Sequence, residues 1–124
     1  MKRLFSMLTI AVLLMVGLVS CMSSAGGGDN FKLYETANMW TFLKLDTRTG
    51  QIWQVQYSVE GDEYRFESVL NSVDLTDGMG YEPNRFELYR TENIRNFVLL
   101  DKVDGRAWQV QWGKEEQRIV VNIN

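Results

Sequence analysis

The sequence contains no histidine, a single cysteine, Cys21, and a single proline, Pro83. Without histidine, Ser-His-Asp and Cys-His catalysis, the usual zinc sites and imidazole-based pH chemistry are all excluded. One cysteine cannot form an intramolecular disulfide, which small exported domains often use for stability. Packing alone must therefore hold the fold together, and the chain is rich enough in aromatic residues to bury a core.

Positive charge is also scarce. The chain has 13 Lys and Arg residues against 16 Asp and Glu residues, and no basic cluster. Binding of nucleic acid depends on Lys and Arg that neutralise phosphates, so we expect no nucleic-acid partner. We also expect no cofactor and no metal site. The chain lacks a phosphate-binding glycine loop between a strand and a helix, and its aspartates follow no EF-hand pattern.

The first 21 residues begin with two basic residues, continue with an apolar run and end with small residues. Lys2 and Arg3 precede an apolar run over residues 4–19, and Leu-Val-Ser-Cys ends at Cys21. The segment resembles the signal peptide of a bacterial lipoprotein, with residues 1–20 cleaved. The resemblance implies lipid on the sulfur of Cys21 and anchoring in a membrane. An uncleaved membrane helix, for which the run is short of the required ~20 residues, and the signal peptide of a soluble protein are the alternatives.

The remaining residues divide into a tether and one domain. Residues 21–30 carry the cysteine and a small, glycine-rich stretch that is typical of a flexible tether. Residues 31–124 are long enough for a single domain. The residues after Cys21 carry no acidic sorting signal, which is compatible with the outer membrane. We therefore expect a lipid-anchored protein of the bacterial cell envelope, at its outer membrane.

The domain is an internal duplication. Residues 31–57 and 86–112 align without a gap at a constant shift of 55, with 13 identities in 27 positions. Repeat one covers residues 31–70, a connection covers 71–85, and repeat two covers 86–124. Both copies contain Trp-Gln-Val-Gln, at 53–56 and at 108–111. The chain resembles small exported lipoproteins with this duplicated signature, a resemblance that implies no particular activity.

Each copy predicts four antiparallel strands. In the first copy they span roughly 31–36, 39–45, 51–57 and 63–70, and in the second 86–91, 94–100, 106–112 and 117–123. Alternation of large apolar residues with glutamine is clearest in the third strand. An aspartate at the start and a glycine at the end predict the hairpin turns at 46–50 and 101–105. The fold class is therefore all-β: a small eight-stranded barrel or a two-sheet sandwich, with pseudo-twofold symmetry.

Three tryptophans are candidates for core or binding positions. Trp53 and Trp108 occupy matched positions, which favours a role as core anchors over a role as stacking platforms for sugar rings. Trp40 has Arg95 as its counterpart, so the duplication does not require a tryptophan there. Trp40 is therefore the better candidate for an exposed, functional side chain.

The glutamines of the third strands are the other candidate ligand-binding residues. Amides can bind sugar hydroxyls or a peptide backbone because each has a donor and an acceptor. Position alone favours a solvated outer face, while amide ladders between strands and a polar barrel lumen are alternatives. The residues in question are Gln54, Gln56, Gln109 and Gln111.

These observations predict a non-catalytic binding or scaffolding lipoprotein that recognises an envelope protein or a glycan. The first alternative is an inhibitor of lysozyme or of a protease, because some envelope lysozyme inhibitors are similarly sized lipoproteins on eight-stranded barrels. Those inhibitors commonly carry disulfides, which this chain cannot form. The second alternative is a glycosidase with two catalytic carboxylates. The sequence singles out no catalytic pair among its 16 acidic residues.

Overall fold

The computed structural model describes residues 28–78 and 80–124. They form two four-stranded antiparallel sheets, with strand orders β1-β2-β3-β4 and β5-β6-β7-β8. The predicted all-β fold of two tandem four-stranded meanders is confirmed, and the two sheets are separate. The strands are β1 (Phe31–Glu35), β2 (Thr41–Asp46), β3 (Ile52–Gln56), β4 (Phe66–Asn71), β5 (Phe86–Arg90), β6 (Asn96–Asp101), β7 (Ala107–Gln111) and β8 (Ile119–Asn122).

All eight predicted strands are present, with ends that differ by a few residues. The largest difference is at β4, which begins at Phe66 because Asp62–Tyr64 form a short 3-10 turn. Glu115–Gln117 form the same turn in the second copy. In this described part of the chain, no helix has the length and apolar composition that crossing a membrane requires.

The turns between the second and third strands are the same in both copies. The Gly50 and Gly105 amides each donate to the carbonyl of the preceding aspartate, Asp46 or Asp101, at 2.9 Å. These glycines have φ of 81° and 80°, a conformation that a side chain disfavours. Each aspartate also accepts, through Oδ1, the amide two residues further on. The predicted hairpin turns are therefore confirmed.

The two sheets stack with corresponding strands close together. The Leu88 amide of β5 donates to Tyr34 Oη of β1 at 3.3 Å. At the opposite edge, Arg118, which directly precedes β8, donates through Nη1 to the Val69 carbonyl of β4 at 3.2 Å. The core between the sheets consists of Leu43, Leu45, Ile52, Phe86, Leu88, Phe97, Leu99, Trp108, Val110 and Trp112.

Each copy forms one sheet, and the two copies bury opposite faces of these equivalent sheets. Leu45 is fully buried, whereas its counterpart Leu100 is half-buried on the far side of the second sheet. Trp108 is buried, whereas its counterpart Trp53 lies on the far side of the first sheet. A twofold axis would bury the same face of both copies, so the relation differs from the expected pseudo-twofold symmetry. The sheets stack face to back; we call the faces in contact the inner faces and the two others the outer faces.

Candidate binding surfaces

The lipidation residue Cys21 and most of the tether lie outside the described residues. Only the last part of the tether, residues 28–30, is described, and it is exposed. Asn30 joins the fold through its carbonyl, which accepts the Thr47 amide at 2.8 Å. The folded domain therefore begins next to the β2–β3 turn.

Trp40 is held at the tip of the β1–β2 connection by a polar turn that both copies share. Its amide donates to Asn38 Oδ1 at 2.9 Å, and the Arg95 amide donates to Asn93 Oδ1 at 3.0 Å. The backbone of the two turns is thus equivalent, and only the side chain differs. Trp40 remains 36% exposed, in keeping with the expectation of an accessible tryptophan.

Trp40 forms one wall of an open cleft of about 270 Å³. Its ring centroid lies 5.1 Å from that of Tyr57, at an interplanar angle of 53°. The cleft is also lined by Asn38, Gln56, Ser58, Glu60 and Tyr64, which offer amide, hydroxyl and carboxylate groups. In the second copy the guanidinium of Arg95 lies 5.4 Å from the centroid of the Trp112 ring, and both residues line another open cavity, of about 690 Å³. The paired aromatic rings therefore distinguish the cleft of Trp40 from the corresponding region of the second copy.

The four glutamines do not form a common binding surface. Gln54 faces the core, where its Oε1 accepts the Gly113 amide at 2.9 Å, whereas its counterpart Gln109 is exposed on the opposite face. The expectation of a solvated outer face is therefore wrong for Gln54, because the first copy buries that side of its sheet. Gln109 Nε2 donates to Asn96 Oδ1 at 2.9 Å.

Gln56 and Gln111 support the chain reversal that follows the third strand. Gln56 Nε2 donates to the Tyr64 carbonyl at 3.0 Å, and Gln111 Nε2 donates to the Gln117 carbonyl at 2.6 Å. Both amide nitrogens are thus used within the fold, and the two contacts are equivalent in the two copies. Of the two, only Gln56 also lines the cleft of Trp40.

The matched tryptophans have different environments. Trp108 lies in the core beside Phe86, with ring centroids 6.2 Å apart, as expected for a core anchor. Trp53 lies half-buried on the outer face of the first sheet, 6.4 Å from Phe31 and with Lys44 Nζ 5.1 Å above its ring. The prediction of a core position is therefore wrong for Trp53. Face-to-back stacking covers this face in the second copy only.

Sequence reasoning missed the surface around Trp53. We call it the apolar outer face; its members are Phe31, Leu33, Phe42, Trp53, Val55 and Val69. Phe31 is 49% exposed and Leu33 is 60% exposed, whereas their counterparts Phe86 and Leu88 are 1% and 3% exposed. A signal for this surface was present, because β2 carries apolar residues at the consecutive positions Phe42 and Leu43. A strand with apolar residues on both faces indicates a sheet covered on both sides.

The acidic residues that the structure buries are engaged in support of the fold. Asp101 is fully buried and accepts Arg85 Nη2 at 2.8 Å and Arg106 Nη2 at 3.1 Å. Burial alone would raise the pKa of Asp101, but the hydrogen bonds from Arg85, the Val103 amide and Arg106, together with the charge of Arg85, lower it to about 2. Its counterpart Asp46 pairs with Arg48, at 3.0 Å. Both aspartates are therefore structural.

Two surfaces of the described residues, the cleft of Trp40 and the apolar outer face, present exposed aromatic side chains. The first combines aromatic rings with polar groups, as sites for sugars do, and the second is an exposed apolar sheet face, as protein interfaces often are. Comparison of the chain with protein-family models, curated proteins and solved structures finds no match.

Proposed function

We propose that this chain is a lipid-anchored, non-catalytic module of the bacterial cell envelope that binds a protein through its apolar outer face. The observation that carries the proposal is the exposure of Phe31 and Leu33, whose counterparts in the second copy are buried. Contiguous exposed apolar surface on a small domain is characteristic of interaction sites. The resemblance of the first 21 residues to a lipoprotein signal peptide supports anchoring through Cys21.

Two cations keep the apolar outer face compatible with water in the absence of a partner. Lys44 Nζ lies over the rings of Trp53 and Phe31, and the Arg48 guanidinium lies 5.4 Å from the Phe31 centroid. Both place the charged group over a ring and remain partly exposed to water. A partner can displace Lys44 without breaking a buried ion pair, because both Lys44 and Glu67 are partly exposed, whereas Arg48 is paired with the buried Asp46.

Site-specific photo-cross-linking of the full chain in cells tests this proposal. A photoreactive amino acid at Leu33 should give a discrete cross-linked protein product after irradiation. The same amino acid at Val73, which is equally accessible but lies in the connection between the copies, serves as the control. Equal labelling from both positions, or none from Leu33, would contradict the proposal. Incorporation of labelled palmitate that is lost in Cys21→Ser tests the anchor separately.

Glycan binding in the cleft of Trp40 is a second candidate function, favoured by the exposed Trp40–Tyr57 pair beside Asn38 and Gln56. Aromatic rings with neighbouring amides provide stacking and hydrogen bonding to a sugar at once. Binding to immobilised envelope glycans should be lost in Trp40→Ala. It should persist in Met39→Ala, which removes an exposed side chain next to the cleft. Loss in both variants, or in neither, would count against the cleft.

A further inference from the structure

We propose that the partner of the apolar outer face is a second copy of this chain, which docks the outer face of its second sheet there. The inference rests on the proposed function and names the partner of that same surface. Its basis is the internal interface, in which the first sheet already covers the second sheet face to back. A second molecule would repeat this packing between chains.

The apolar outer face has kept the composition of the surface that the internal interface buries. Phe31 corresponds to Phe86, Leu33 to Leu88, Phe42 to Phe97, Trp53 to Trp108 and Val55 to Val110, and all five pairs are identical. Every one of the second-copy members is buried in the core. The first copy therefore presents the same five apolar side chains without a cover.

Within the chain, the inner face of the first sheet covers the second sheet. The outer face of the second sheet carries the counterparts of these covering residues. Tyr89 corresponds to Tyr34, Leu100 to Leu45 and Gln109 to Gln54. Tyr34 and Gln54 make two of the polar contacts across the internal interface, to the amides of Leu88 and Gly113. In the repeated packing, Tyr89 would accept the Leu33 amide of the next molecule. Gln109 would likewise accept the amide of Ser58, the counterpart of Gly113.

The edge charges fit the same arrangement. Within the chain, Lys32 Nζ lies 3.1 Å from Glu87 Oε1, and these two residues are counterparts of each other. In the contact between two molecules, the second sheet of one molecule takes the covering position that the first sheet has within the chain. Glu87 then lies where Lys32 lies within the chain, and it faces Lys32 of the other molecule. The pair is therefore formed again with the signs exchanged. Complementary charge of this kind fixes the register of an interface.

One ion pair sets the strength of the contact. Lys44 stands where the second copy has the fully buried Leu99, and Glu67 stands where it has Val120, which packs against the core. Lys44 is paired with Glu67 at 2.6 Å and partly exposed, so the stacked molecule must accommodate its charge. We therefore expect association that is weaker than the internal packing and reversible. Since the two surfaces in contact differ, the arrangement is head to tail and extends as a ring or a filament.

A mixing experiment with the full chain in detergent tests head-to-tail stacking by sedimentation velocity. Leu33→Arg blocks the apolar outer face, and Gln109→Arg blocks the outer face of the second sheet. Both residues are exposed, so both variants should fold. Each variant alone should lose self-association by at least about tenfold in its dissociation constant. An equimolar mixture should form a one-to-one complex, because each variant keeps one intact face. Val73→Arg, an equal change in the connection, should associate like the unmodified chain.

The outcomes separate this inference from the proposed function. An unmodified chain that stays monomeric at every concentration overturns stacking. So does a Gln109→Arg variant that still dimerises by itself, since it indicates contact between two apolar outer faces. If photo-cross-linking from Leu33 then yields a different protein, the proposed function stands and only the identity of the partner is wrong. Replacing both members of the ion pair, with Lys44→Leu and Glu67→Val, should tighten self-association by about tenfold, and unchanged or weaker association in that double variant would also contradict the inference.

Discussion

The first copy of the repeat exposes the face that the second copy buries. Trp53 and Trp108 occupy the same position in the same strand of two sheets with the same order and turns, yet only Trp108 is in the core. Gln54 and Gln109 show the converse, because the glutamine of the first copy is the buried one. Sequence determines each sheet, whereas the place of the sheet in the stack determines which side chains stabilise the fold.

Truncating the matched tryptophans gives the largest expected contrast between the copies. Trp108→Ala should lower the free energy of unfolding by about 4 kcal/mol, because it removes a buried ring from the core. Trp53→Ala should cost about 1–2 kcal/mol, because that ring is already half solvated. Urea unfolding followed by circular dichroism measures both changes. Equal losses would mean that the two copies bury the same face.

Neutralising the matched turn aspartates gives the next largest contrast. Asp101→Asn should cost about 3 kcal/mol, because it removes the buried carboxylate at 2.8 Å from Arg85 and leaves only the more distant Asp104, at 3.9 Å. Asp46→Asn should cost about 1 kcal/mol or less, because Arg48 is partly exposed and water replaces the lost charge. The same urea titration serves here. A larger effect at Asp46 than at Asp101 would contradict the assignment of the buried pair.

The acid dependence of stability sharpens the comparison of the aspartates. The pKa of Asp101 is lowered from its ordinary value of 3.8 to about 2 in the folded protein. Its charge therefore contributes stability that is fully present above about pH 4 and is lost as the pH falls through 2. The free energy of unfolding should fall more steeply over this range in the unmodified chain than in Asp101→Asn. Parallel pH profiles would show that Asp101 has an ordinary pKa.

The matched glutamines give the smallest contrast. Gln54→Ala should cost about 1–2 kcal/mol, because the Gly113 amide loses the acceptor that now lies 2.9 Å away. Gln109→Ala should change stability by less than about 0.5 kcal/mol, since its amide is exposed. Thermal unfolding of the two variants side by side resolves this difference. A reversed order would place Gln109, and not Gln54, between the sheets.

The strands, turns and duplication could be predicted from the sequence because they depend on local patterns. Alternation in the third strands and the aspartate–glycine turns are properties of a few neighbouring residues. The choice of face could not be predicted in this way, because β2 carries apolar side chains on both faces and fits either arrangement. Identity of Trp53 and Trp108 then suggested equal environments, which face-to-back stacking does not provide.

The candidate sites were predictable to different degrees. The replacement of Trp40 by Arg95 in the second copy pointed to an accessible tryptophan, because a position that breaks the repeat is free of the constraints of the core. The cleft itself depends on Tyr57 and Tyr64, which approach Trp40 only in the folded chain. The apolar outer face was missed because its residues are those that normally fill a core. These residues are exposed because the first sheet packs against the second sheet with its opposite face.

Nuclear Overhauser effects between the copies test face-to-back stacking most directly. They are best measured on Gln109→Arg, in which contacts between molecules are blocked. The structure predicts an effect between the Tyr34 ring and the Leu88 amide, whose nitrogen lies 3.3 Å from Tyr34 Oη, and none between the Tyr89 ring and the Leu33 amide. Observation of both effects within one molecule would indicate twofold packing and would contradict the account.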